Sequence, residues 1–195
     1  FTDPFNRRYL SGFTGSAGAL LIHPSSRKLF TDSRYTAQAK NEAQGFEIVE
    51  CAGGETASKV AVACRDLGVR RLGFEEDRVP VSEHRRMQEL LGPDVELVWA
   101  GDILSSMRSV KTPDEIERLR EASAAADEAF YQICGVVEPG MREQDVALEI
   151  DCLLRKKCGA TAFDTIAASG PNSALPHAKP GGRRLQAGDA LVLDF

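Results

Sequence analysis

From Ala19 to Trp99, short apolar runs alternate with longer stretches of helical spacing, and Gly or Pro marks most of the changes. Such a chain builds layered α/β structure, because strands and helices each have an apolar side that another element must cover. Residues 19–22 and 28–30 read as strands joined by a turn at His23-Pro24-Ser25-Ser26-Arg27. Helices are predicted over 33–43, closed by Gly45, over 56–67, stopped by Gly68, and over 80–91, ended by Gly92-Pro93. Strands are predicted over 46–51, 71–75 and 95–99.

The pattern changes near Lys111. Thr112-Pro113-Asp114-Glu115 is a capping box with proline at the first helical position. The helix it opens carries Ile116, Leu119, Ala122, Ala126, Phe130 and Ile133 at three- and four-residue steps, a predicted core stripe. A second helix is predicted over 143–158. Its acidic start (Glu143, Asp145) and basic end (Arg155, Lys156, Lys157) suit the helix dipole, and Gly159 stops it. Strand, loop and strand follow at 162–168, 169–183 and 189–195. With the boundary placed between 105 and 112, the expectation is an α/β domain over 1–108, with a mixed sheet covered by helices. The opening of an α+β domain follows over 109–195.

A net charge of -5 argues against nucleic acid as the main partner. No apolar stretch approaches the roughly 18 to 20 residues that span a bilayer. The five cysteines include no C-x-x-C pair, so neither a disulfide framework nor a zinc cage is expected. Buried free thiols and a cytoplasmic location are the reading. Both ends, Phe1 and the apolar run into Phe195, are expected to be cuts in a longer sequence.

The glycine-rich stretch Gly12-Phe13-Thr14-Gly15-Ser16-Ala17-Gly18 precedes a strand, whereas a phosphate cradle needs a helix N-terminus. A tight structural turn is expected instead. His23 and His84 have no convergent partners in the sequence and read as structural. His177 differs, sitting in a polar loop stiffened by Pro171, Pro176 and Pro180, where functional side chains are often presented. Asp194 ends an apolar strand, a place where a carboxylate needs water, a partner or a cation.

Two long motifs carry a resemblance. Asn6 to Gly18 followed by Leu29-Phe30-Thr31-Asp32-Ser33-Arg34-Tyr35 resembles the N-terminal domain of Xaa-Pro aminopeptidases. Ser169 to His177, then Leu185, Gly188-Asp189 and Leu191 to Phe195, resembles the start of the "pita-bread" catalytic domain of the same creatinase/prolidase/aminopeptidase P family. The resemblance implies hydrolysis of the bond before a penultimate proline, by two divalent ions, usually manganese. It implies that Asp194 is the first metal ligand and His177 a catalytic and substrate-binding histidine. The remaining ligands, one Asp, one His and two Glu, would lie beyond this chain, which by itself is then expected to be inactive. Self-association into homo-oligomers is also implied. The alternatives are an Xaa-Pro dipeptidase (prolidase), a creatinase-like hydrolase, or a non-catalytic pita-bread module that binds peptides or proteins. Methionine aminopeptidase is disfavoured because it lacks the first domain.

Overall fold

The computed structural model describes residues 1–195, which divide into two compact units, Phe1–Ser109 and Val110–Phe195. In the first unit, α1 (Pro4–Ser11) is capped by Asp3, whose carboxylate accepts the Asn6 N–H at 2.9 Å, and Pro4 stands in its first turn. This helix was not foreseen from the sequence, although an Asp-Pro start is a standard N-terminal signal. Gly12 closes it in the left-handed region, at φ 77°.

A hairpin of β1 (Ala19–His23) and β2 (Ser26–Thr31) leads through α2 (Thr36–Glu42) to β3 (Glu47–Glu50). β1 pairs antiparallel with β2, and β2 pairs parallel with β3, so the sheet is mixed, as expected. Phe1 exchanges both backbone hydrogen bonds with Leu20 at 2.8 Å, the pattern of an antiparallel pair. Strand alternation gives this sheet two buried faces. Leu20, Leu29 and Ile48 pack with Phe13, Ala39 and Ala43 on one side. Leu21, Phe30 and Val49 pack on the other against α3 (Thr56–Asp66) and its neighbours. Full burial of Leu29 and Phe30 stabilises the fold by about 1.5–3 kcal/mol each. A second parallel pair, β4 (Arg71–Phe74) and β5 (Glu96–Trp99), is joined through α4 (Val81–Leu91). A short α5 (Ile103–Ser109), not foreseen from the sequence, ends the unit.

The glycine-rich stretch is a structural turn. Its carbonyls face inward to the buried Arg7, whose Nη2 donates to Gly15 O at 2.5 Å and whose Nη1 donates to Gly18 O at 2.7 Å. A Cβ at Gly15 would sit 2.2 Å from the Phe13 ring, and one at Gly18 would sit 2.9 Å from Phe30 O. Close packing, not anion binding, explains these glycines.

In the second unit, α6 (Pro113–Cys134) opens with the capping box in full. Its buried face differs from the expected stripe. Of the stripe, Ile133 is buried as expected, but it is joined by Ala125 and Ala129, whereas Leu119 and Phe130 are 57% and 46% exposed. The inward face is thus rotated by about one residue from the stripe, and alanines let α7 (Glu143–Cys158) approach closely. α7 contributes Val146, Ala147, Ile150 and Leu154 to the same core. β6 (Ile166–Ser169) pairs antiparallel with β7 (Leu191–Asp194), in the register Ala167↔Leu193 and Ser169↔Leu191. Cysteine burial also departs from expectation: all five are free, but only Cys51 and Cys64 are buried. No helix is long and apolar enough to cross a membrane.

Candidate active site

β6 runs into a loop that opens with a single 3-10 turn, Gly170–Ala174. Ala178 N–H then donates to Leu175 O at 3.1 Å, closing a β-turn with Pro176 and His177 at its centre. Proline presets the first of these positions. His177 lacks a positive φ, so the turn is not type II, and its imidazole is exposed at the tip. Asp194 stands at the end of β7, opposite Ile166 and exposed. By alternation it shares a strand face with Val192, while Leu191 and Leu193 turn to the α7 core.

What holds this loop is a residue that sequence reasoning read only as a helix-dipole partner. Glu143, the first residue of α7, is 1% exposed. Its Oε1 accepts from Ser169 N–H and Ser169 Oγ at 2.8 Å and from Asn172 Nδ2 at 3.0 Å. Its Oε2 accepts from Asn172 Nδ2 at 3.1 Å and Gly181 N–H at 3.4 Å. Burial pushes the carboxyl upward, but the donors from Ser169, Asn172 and Gly181 together outweigh it and hold it below the usual carboxylate range.

The network continues through Ser169 Oγ, which accepts from Arg183 Nη1 at 2.5 Å. The same guanidinium donates to both oxygens of Asp189, at 2.7 and 3.2 Å. Asp189 Oδ2 also accepts the Gln186 N–H at 2.8 Å, which fixes the turn into β7. Arg183 depresses the Asp189 carboxyl, with help from that backbone donor. A charge pair six residues apart across a loop has no sequence signature, so Arg183 was not singled out and Asp189 entered only as part of the Gly188-Asp189 motif.

No group of three His, Cys, Asp or Glu side chains comes together in a way that could hold a metal ion. Asp194 offers one hard oxygen ligand, and the residues present do not by themselves complete a metal site. His23 bonds to Ser25 in the hairpin turn, and His84 packs on Phe74 with ring centroids 4.9 Å apart. Both are structural.

A mixed-sheet α/β unit followed by a helix pair and an antiparallel strand pair is the architecture of a creatinase-type N-terminal domain joined to the opening of a pita-bread domain. Residues 1–110 match the creatinase/prolidase N-terminal domain, and residues 117–195 match metallopeptidase family M24. The chain belongs to this creatinase/prolidase family of M24 metallopeptidases. It is 37% identical to the peptidase YqhT of Bacillus subtilis over 195 residues, which is all of this chain and 55% of that protein. Among solved structures it is similar to an Xaa-Pro dipeptidase from Bacillus anthracis, with TM-score 0.92 and 37% identity over 99% of this chain and 54% of that one. It is also similar to an X-Pro aminopeptidase from Thermotoga maritima, with TM-score 0.90 and 38% identity over 99% and 55% of the two chains. The chain thus spans about half the length of the relatives it matches.

Proposed function

We propose that the protein containing this chain is a metal-dependent aminopeptidase that releases the N-terminal residue from peptides with proline in second position. The observation that carries the reading is the presentation of two exposed groups from one clamped framework. The His177 imidazole stands at the tip of the loop, and the Asp194 carboxylate stands at the end of the strand into which the loop returns. An imidazole can donate to a peptide carbonyl or pass a proton near neutrality. A carboxylate is a ligand that manganese favours. His177 is assigned to substrate and proton handling, and Asp194 to one of two divalent ions, preferably manganese, with the other ligands supplied from outside this chain. A paired-ion site supplies an activated water and polarises the scissile carbonyl. Proline has no N–H and a fixed ring, so its pocket must recognise ring shape, not an amide donor.

A dipeptidase acting on Xaa-Pro is the second reading, favoured by the likeness to the Bacillus anthracis dipeptidase. One assay separates the two. The intact protein, loaded with manganese, is given Xaa-Pro dipeptides and longer Xaa-Pro-Yaa peptides. Release of the first residue from the longer peptides supports the aminopeptidase. Turnover of dipeptides alone supports the second reading, and turnover of neither overturns both.

A further inference from the structure

The loop that carries His177 is held at both of its limbs by one carboxylate. We propose that Glu143 is a positioning residue, which sets where His177 and Asp194 stand without touching substrate. The inference rests on the functional reading above for the roles of those two groups.

The limb that leaves β6 is gripped through Ser169 N–H, Ser169 Oγ and the Asn172 amide, and the limb that returns is gripped through Gly181 N–H. The main chain of the same helix start completes the clasp. Glu143 N–H donates to Arg183 O at 3.0 Å, and Gln144 N–H donates to Gly181 O at 3.1 Å. Just upstream, Leu185 N–H donates to Met141 O at 2.9 Å and Gly140 N–H donates to Leu185 O at 2.8 Å. His177 lies between the two gripped limbs, so its turn has fixed ends. Ser169 Oγ relays the grip to Arg183 and Asp189, while Gly170 N–H donates to Ala190 O at 2.8 Å. The start of β7, and so the strand that ends in Asp194, hangs on the same network.

The chemistry specifies a carboxylate. Every side-chain partner of Glu143 is a donor, so an amide in its place would turn an N–H against Asn172 Nδ2 or the Gly181 N–H. Stability is a weak reason for such a group. Burying a carboxylate costs desolvation that an apolar residue avoids, and Val146, Ala147, Ile150 and Leu154 already hold α7 in the core. What the carboxylate adds is one defined path for the loop.

The test uses the intact protein with Glu143→Gln, and with Asn172→Ala as a milder change that removes one amide from both carboxylate oxygens. Hydrogen exchange by mass spectrometry, kcat and KM on an Xaa-Pro peptide, and bound manganese are measured where circular dichroism shows each variant folded. Faster exchange confined to peptides from 169–194 is expected, with peptides from 1–109 unchanged. A fall in kcat of about 10- to 100-fold is expected for Glu143→Gln, the scale of a small misplacement of reacting groups, with a lesser change in KM. Asn172→Ala should move the same quantities less, and it keeps the test in force should Glu143→Gln misfold. Unchanged exchange in 169–185 overturns the clamp. Faster exchange with unchanged kcat overturns the positioning role and leaves a structural one. Absence of Xaa-Pro hydrolysis by the unaltered protein overturns the functional reading, and the positioning role with it, while the exchange data still decide the clamp.

Discussion

Gly170→Ala isolates the space that the Arg183–Asp189 pair needs. Gly170 sits at φ +50°, where a Cβ would stand 2.5 Å from Arg183 Nη2 and 2.6 Å from Asp189 Oδ1. The left-handed conformation costs an alanine about 1–2 kcal/mol, against which its stiffer unfolded chain returns about 0.4–1 kcal/mol. The colliding atoms are side-chain ends, so they can move, but only by parting a pair whose side chains are 24% and 15% exposed. A hydrogen bond between charged groups at that depth contributes about 1.5–3 kcal/mol. The expected loss is about 2–4 kcal/mol for the second unit. Two controls divide this figure. Gly188, at φ +89°, has nothing within 4 Å of its added Cβ, so Gly188→Ala should carry the backbone cost alone, about 1 kcal/mol. Gly182→Ala meets neither strain nor contact and should stay within about 0.5 kcal/mol of the parent. Core amides of α7 that exchange through unfolding of the unit report the difference, with Gly170→Ala exchanging about 30- to 1000-fold faster. If its exchange falls within about threefold of Gly188→Ala, the side chains absorb the collision without losing the pair, and the reasoning fails.

In the intact protein, His177→Ala should lower turnover by about 100-fold or more and leave bound manganese near normal, while Asp194→Ala should lower metal content directly; elemental analysis beside kinetics checks both. The depressed Glu143 and Asp189 carboxyls bind protons more weakly folded than unfolded, so their contribution is complete above the ordinary carboxylate range near about pH 4 and is lost as pH falls through the folded values. Urea unfolding of the second unit across acid pH should therefore show a falling limb that Glu143→Gln flattens, and an unaltered limb would contradict the assignment. Arg7→Met should destabilise the first unit by about 2–6 kcal/mol, because it leaves the Gly15 and Gly18 carbonyls without their donor, at about 1–3 kcal/mol each. Trp99, the one tryptophan and part of that unit, reports its urea midpoint by fluorescence, and a shift equivalent to less than about 1 kcal/mol would refute the estimate.

Much of the local structure was readable in advance. Gly68, Gly92 and Gly159 stop helices at positive φ, where the sequence placed the stops, and Thr112 with Glu115 makes the capping box seen in the structure. The two overlooked helices, α1 and α5, are each only about two turns long, too short for an apolar period to stand out. The stripe on α6 shows a different limit. Ile133 is buried as expected, but Ile116, Leu119 and Phe130 are exposed while Ala125 and Ala129 beside them are buried, so residue size misdirected the reading of which face turns inward.

Caps, breakers and periodicity act within a turn or two of chain, and for that reason the sequence by itself determined where most of the longer helices and strands lie and which family motifs they carry. It also drew attention to His177 and Asp194, whose settings in a proline-stiffened loop and at a strand end are local facts. Only the tertiary structure decided what Glu143 does. Its donors Ser169 and Gly181 lie 26 and 38 residues away along the chain, and in the sequence it is one acidic residue at the start of a helix, like Asp114 in α6. A buried carboxylate is defined by the donors that converge on it once water is excluded, and that convergence exists only after β6, the loop and α7 have packed together.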